Sequence, residues 1–253
     1  MTATQFSINT LLGSTQALQK KLFRELTRPV VASKVVALDL DETAGSWGTG
    51  SLGYRASILF SKTPPPTALF VQSYMEKGGA RPGLRQALET LKVWKEIGRI
   101  DEVAIFTSAS NEDGWIDYLI RCMEEYAGTP GLFGRRLTRE DSPEVKSSCG
   151  QIRTLKDLSL LSSDADSVVL IDDKPQYAIN GRVIAVSEYC QAGFEDEMFE
   201  WICAEVPDHA SEIQNALMSD RIQYPPSKKD FSGDTALWRV MTELEQVFPL
   251  CQS

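Results

Sequence analysis

Val35-Val36-Ala37-Leu38-Asp39-Leu40-Asp41-Glu42-Thr43 runs a buried-strand pattern straight into two carboxylates that flank one apolar residue. Four consecutive apolar residues without polar alternation predict a strand covered on both faces, from about Lys34 to Asp39. Alternate strand residues share a face, so Asp39 and Asp41 lean the same way at the carboxyl edge, where open α/β sheets bind ligands. Two like charges so placed call for a cation. Magnesium, a hard ion that takes oxygen from one or two carboxylates plus a phosphate, is the simplest choice. A helix N-cap at Asp41 or Thr43 would account for one acidic residue but not for the pair.

Outward from this stretch, strands and helices alternate. Glu102-Val103-Ala104-Ile105-Phe106 predicts a second buried strand, ending in Thr107-Ser108-Ala109-Ser110, and Ser167-Val168-Val169-Leu170-Ile171 another, ending in Asp172-Asp173. Arg182-Val183-Ile184-Ala185-Val186 adds a fourth. Between them, Leu84, Leu88, Leu91 and Val93 or Trp94 recur at helical spacing after Arg81-Pro82-Gly83, and Trp115, Tyr118, Leu119, Cys122 and Met123 mark a further helix. Such alternation predicts a parallel sheet with helices on both faces. Residues 44–80 differ: four glycines precede Pro64-Pro65-Pro66, and Ala56 to Phe60 and Ala68 to Val71 read as two short strands of a hairpin flap over the active edge. Segments 194–205, 211–220 and 235–248 read as helices, with Glu195-Asp196-Glu197 as a solvated first turn. The expected organisation is a lead-in segment over 1–33, a principal domain over 34–205 with the flap at 44–80, and a helical extension over 206–253.

Composition narrows the chemistry. The 253 residues carry a net charge of -9, which argues against duplex nucleic acid as a partner, and no apolar run is long enough to span a bilayer. Five cysteines, odd in number and without a Cys-x-x-Cys pair, fit a reducing interior rather than a disulfide framework. His209 is the only histidine and lies in an acidic C-terminal region, so a multi-histidine metal site is excluded, a His-dependent triad would require that region to fold back, and His209 is expected at the surface. Carboxylates, hydroxyls, lysine and metal remain. The first 34 residues hold Lys20, Lys21, Arg24, Arg28 and Lys34 against Glu25. With Leu11, Leu12, Leu18, Leu22 and Phe23 they read as a lead-in helix, an organellar transit segment being the alternative. The expected compartment is intracellular, cytoplasmic or nuclear.

Asp39-Leu40-Asp41-Glu42-Thr43, Phe106-Thr107, Lys156 and Asp172-Asp173 together resemble the four motifs of the haloacid-dehalogenase superfamily of phosphotransferases. Arg81-Pro82-Gly83-Leu84, Ile105 to Ser110, Leu155-Lys156-Asp157-Leu158-Ser159 and Leu170-Ile171-Asp172-Asp173-Lys174-Pro175 look like the branch of small phosphatases of the RNA polymerase II C-terminal domain, the NLI-interacting-factor-like proteins. The likeness covers roughly residues 34 to 190. It departs at Asp172-Asp173-Lys174-Pro175, where that branch usually has Asp-Asn-Ser-Pro, and in the flap.

The resemblance implies an α/β, Rossmann-like three-layer sandwich with a central parallel sheet, a flap after strand one and a helical C-terminal extension. It implies Asp39 as nucleophile forming an aspartyl phosphate, Asp41 as general acid and base, and Thr107, Ser108 and Lys156 on the phosphoryl oxygens. Magnesium would be held by Asp39, the backbone carbonyl of Asp41 and Asp173, with Asp172 assisting. The expected activity is a magnesium-dependent phosphomonoesterase acting on phosphoserine or phosphothreonine in a protein. The alternatives are a phosphatase of small phosphomonoesters and a non-catalytic binding module. Oligomeric state is not legible.

Overall fold

In the computed structural model, described for residues 34–146, 152–190, 200, 203–204, 207–212, 215, 231 and 233–250, five strands form one parallel sheet. They are β1 (Val35–Leu38), β2 (Glu102–Phe106), β3 (Phe133–Leu137), β7 (Val168–Asp172) and β9 (Arg182–Ala185), in the spatial order β3-β2-β1-β7-β9. Short pairs lie outside it: β4 (Glu144–Lys146) with β5 (Ile152–Thr154), and β6 (Lys156–Asp157) with β8 (Ala178–Ile179). The expected lead-in helix, and most of those expected over 194–205 and 211–220, fall outside the described residues. No described helix is long and apolar enough to cross a membrane.

The uninterrupted apolar runs explain why β1 and β7 are interior. Val35, Val36, Ala37, Val168, Val169 and Leu170 are wholly buried, as strands covered on both faces require. Chain order runs outward from β1 toward β2 on one side and toward β7 on the other. The crevice between the carboxyl ends of β1 and β7 is therefore the switch point at which such sheets hold ligands. Helices cover the sheet through apolar stripes. Leu84, Ala87, Leu88, Leu91 and Trp94 are the buried face of the helix Leu84–Glu96, in which Val93 is exposed. Trp115, Ile116, Tyr118, Leu119, Cys122 and Met123 are that of Trp115–Ala127. The closing helix Ala236–Val247 buries Leu237, Val240 and Leu244.

The hairpin expected within 44–80 is absent, and that segment is helical. Gly48–Ser61 and Thr67–Phe70 are α-helices, and wider π-helical turns follow over Val71–Gly79 until Gly78, at φ 119, breaks them. Gly50, Gly53, Tyr54 and Ser57 form the buried face at helical spacing, whereas Leu59, in the run taken for a strand, is 70% exposed. Glycine here serves close packing rather than a loop. A Cβ on Gly50 would sit 3.0 Å from the Phe70 ring and 3.1 Å from that of Tyr74. Tyr54, Phe70, Trp115 and Tyr118 then pack in tilted and edge-to-face pairs at centroid separations of 4.8–5.9 Å, joining the insertion to Trp115–Ala127. His209, 43% exposed at its side chain, stacks on Phe60.

β3 has no counterpart in the sequence reading. Phe133-Gly134-Arg135-Arg136-Leu137 lacks strand patterning because it lies at the sheet edge, where Arg135 is answered by Glu102 at 2.5 Å.

The insertion leaves and rejoins the sheet at one point. Gly45 bridges both Asp41 and Ala80, the Ser46 N–H donates to Gly79 O (2.9 Å), and the Arg81 N–H donates to Ala44 O (3.0 Å). A Cβ on Gly45 would lie 2.4 Å from the Gly79 carbonyl oxygen and 2.3 Å from the Trp47 ring. Gly45→Ala is therefore expected to lower unfolding free energy by about 1–3 kcal/mol, read from the urea midpoint.

Candidate active site

Two strand ends, those of β1 and β7, and the short strand β6 bring Asp39, Asp172 and Lys156 together. The Asp39 N–H still bonds to Ile171 O (3.0 Å), which places its side chain immediately beyond the last β1–β7 pair, Leu38↔Ile171. Asp172 closes β7 beside it. Lys156, on β6 and paired with Ala178 of β8, extends between them, its Nζ 2.7 Å from Asp39 Oδ1 and 2.7 Å from Asp172 Oδ2. All three side chains are at most 8% exposed.

Thr43 supplies the second link. Its Oγ1 accepts from the Asp173 N–H (2.9 Å) and lies 3.3 Å from Asp39 Oδ2 and 3.1 Å from Asp173 Oδ1, so its one hydrogen serves either carboxylate. Carboxylate oxygens of Asp39, Asp172 and Asp173 converge within 4.8 Å of one another. Three acidic groups around one ammonium make an oxygen-rich, anionic cradle of the kind a hard divalent ion accepts, so the residues fit magnesium. The Asp41 carboxylate is not part of this trio. On the outer side, Lys174 pairs with Glu42 and reaches Asp173 Oδ2 at 3.3 Å, while its N–H donates to Asp172 Oδ1 (2.6 Å).

A second group, Glu42, Glu188 and Cys190, also brings ligand atoms within 4.8 Å. Burial, then the charges of Glu42 and Glu188, push the Cys190 thiol up to about 12, so it presents no thiolate.

Thr107 is buried just past β2, its N–H donating to Leu137 O (2.9 Å) and its Oγ1 accepting from the Ala109 N–H (3.1 Å). This turn leaves the hydroxyl hydrogen free to donate. The Ser108 carbonyl accepts from Arg139 Nε at 3.0 Å. Neither residue hydrogen-bonds to the carboxylate cluster among the described residues.

Electrostatics follow from this crowding. Burial raises Asp39 to about 7, with Asp172 and Asp41 adding to the shift and Lys156 opposing it. Burial and the Glu42 charge raise Asp41 to about 6. Burial works against the Lys156 charge, but the Asp39 and Asp172 carboxylates outweigh it and hold the ammonium above its usual range.

Sequence reasoning missed four participants. Thr43 lies inside the first motif but reads locally as a cap, Arg81 reads as the opening of a helix, and Lys174 reads as a departure from the family pattern. Asp234 carried no local signal. Arg81, 1% exposed, donates to the carbonyls of Thr43 (3.1 Å) and Ser187 (2.8 Å) and pairs with Asp234 at 2.8 Å.

Two stability outcomes follow. Lys156→Met strands two buried carboxylates and is expected to cost about 3–5 kcal/mol at pH 7.5 by urea denaturation. Asp39 and Asp41 both carry higher pKa values folded than unfolded, so folding takes up protons between 3.8 and about 7. Stability of the chelator-treated protein is therefore expected to fall as pH rises through that window, and Asp39→Asn is expected to flatten the slope.

A family model described as NLI interacting factor-like phosphatase matches residues 34–206. No curated protein is matched. Among solved structures, a Thermotoga maritima protein named "putative beta-phosphoglucomutase" is similar at 14% identity, covering 74% of this chain and 99% of that one, with a TM-score of 0.33.

Proposed function

The chain belongs to the NLI interacting factor-like phosphatase family, and from that premise we propose that it is a magnesium-dependent phosphomonoesterase working through an aspartyl phosphate on Asp39. The observation that carries this reading is the 2.7 Å approach of Lys156 to both Asp39 and Asp172 at the β1–β7 crevice, with Thr43 linking Asp39 to Asp173. A nucleophilic carboxylate needs to be ionised, fixed in direction and close to cationic charge. Lys156 and Thr43 supply the direction and the cationic charge from two sides, and the Asp39 carboxyl, raised to about 7, would be drawn into its ionised form by a divalent ion bound beside it.

In the first step an Asp39 oxygen forms a bond to phosphorus while the bond to the leaving oxygen breaks. Asp41, raised to about 6 and thus partly protonated near neutrality, gives its proton to that oxygen. In the second step Asp41 accepts a proton from water as the water attacks the phosphoryl group, releasing phosphate and restoring Asp39. Lys156, the Thr107 hydroxyl and Ser108 hold the phosphoryl oxygens, because a loose phosphoryl-transfer transition state is stabilised mainly by position and charge. Asp39, the Asp41 backbone carbonyl and Asp173, with Asp172 assisting, would hold magnesium, which would supply electrostatic neutralisation of the transferring group.

The family implies a phosphorylated substrate. Its assignment as phosphoserine or phosphothreonine in a protein rests on the likeness of the stretches at 81–84, 105–110, 155–159 and 170–175 to the branch acting on the polymerase tail. With an aryl phosphate and magnesium, Asp39→Asn is expected to lose on the order of 10³-fold or more in kcat. Asp41→Asn is expected to lose about 10²–10⁴-fold. Equal rates for wild type and Asp39→Asn would reject the nucleophile. Turnover of phosphopeptides above a panel of phosphorylated metabolites is the expected result for the substrate, and the reverse order would assign the small-molecule class.

A further inference from the structure

Arg81 is buried, charged and unused by the steps above. All its donors are engaged. Nη1 donates to the carbonyls of Thr43 (3.1 Å) and Glu42 (3.4 Å), and Nη2 to the Ser187 carbonyl (2.8 Å) and hydroxyl (3.1 Å). Nε and Nη2 together fork onto Asp234 Oδ2, at 2.9 and 2.8 Å. Tyr189 closes the arrangement. Its ring centroid lies 5.5 Å from the guanidinium, its N–H donates to Glu42 O (2.8 Å), and its hydroxyl donates to the Gly78 carbonyl (2.8 Å).

A guanidinium taken out of water costs several kcal/mol unless it is fully bonded and paired, so such a site stays in one geometry. The backbone it grips is that of Thr43, whose side chain joins Asp39 to Asp173. Asp234 in turn is fixed by its other oxygen, Oδ1, which accepts from the Ala236 N–H (2.7 Å) at the start of the closing helix.

We propose that Arg81, oriented by Asp234 from the C-terminal extension, is a positioning residue that holds the Glu42–Thr43 backbone so that the Thr43 hydroxyl stays between Asp39 and Asp173. This rests on reading Asp39 as nucleophile and Asp173 as metal ligand. The extension thereby belongs to the reaction apparatus through Asp234.

The test compares Asp234→Asn and Arg81→Lys with Leu244→Ala, which removes buried packing about two turns farther along the same closing helix. Asp234→Asn keeps the side-chain shape but sets an amide against either Arg81 or the Ala236 N–H. Misplacement of a reacting group by about 1 Å can cost about 10²-fold, and loss of an outer support about 10–100-fold in metal affinity. Expected for both clamp variants are a 10- to 100-fold loss of kcat on an aryl phosphate with KM within about twofold, and about tenfold weaker magnesium binding by calorimetry. Leu244→Ala, assayed well below its melting temperature, is expected to keep wild-type kcat and magnesium affinity despite lower stability. Wild-type kcat and affinity in both clamp variants would overturn the proposal, as would losses in Leu244→Ala equal to theirs. A wild type that hydrolyses no phosphomonoester would refute the phosphatase mechanism instead; the clamp is then judged on magnesium affinity alone, and unchanged affinity in Asp234→Asn overturns it.

Discussion

Like charge gathered at the β1–β7 crevice is the constraint to which the surrounding structure answers. Two carboxylates about 4 Å apart repel by about 4 kcal/mol at the effective dielectric of a protein surface, and more when buried. Here Asp39, Asp172 and Asp173 bring oxygens within 4.8 Å of one another. Lys156 relieves the inner pair, Thr43 separates Asp39 from Asp173, and Lys174 faces Asp173 from solvent. Burial, with the Asp172 and Asp41 carboxylates adding to it, outweighs Lys156 and keeps Asp39 raised to about 7. A site left short of positive charge favours binding both a divalent ion and a group that arrives with one.

The loop after β1 converts this charge pattern into geometry. Glu42 adopts a left-handed conformation at φ 64, which costs a residue with a side chain about 1–2 kcal/mol. The turn is held because the Glu42 N–H donates to Gly45 O (2.8 Å) while its carbonyl accepts from Tyr189 (2.8 Å). Without it Thr43 could not fold back over Asp39. The parallel sheet below supplies a rigid base, since Val35 to Ala37 are wholly enclosed and hydrogen-bonded on both edges.

What could be read in the chain follows from how local each signal is. Apolar runs ending in Asp39, Thr107 and Asp172 announced three interior strands because a covered strand needs no alternation. The amphipathic helices at 84–96 and 115–127 announced themselves through repeating spacing. The insertion misled because Gly50, Gly53 and Ser57, which carry no hydrophobic signal, fill most of the buried face of Gly48–Ser61 beside Tyr54, while Leu59 faces outward and Leu52, Ala56, Ile58 and Phe60 are only partly buried. β3 was silent for the opposite reason: an edge strand rich in arginine depends on Glu102 rather than on patterning. Of the site, the acidic and lysine groups were legible as an ordered series. The grip of Arg81 on residues 42 and 43, and of Asp234 on Arg81, depends on distant parts of the chain meeting, which no window of sequence displays.

Gly45 has a wider consequence. Because it bridges Asp41 on one side and Ala80 on the other, the chain departs for the insertion and returns from it through adjacent hydrogen bonds. The entropic cost of closing such an excursion grows only slowly with its length. The reacting residues meet the insertion at this doorway, where Gly45 bridges Asp41 and Trp47 Nε1 donates to Leu40 O at 3.0 Å. Lengthening or shortening the segment between Ser46 and Gly79 would therefore reshape the surface offered to incoming molecules at small entropic cost, with the hydrogen bonds at its base kept in place.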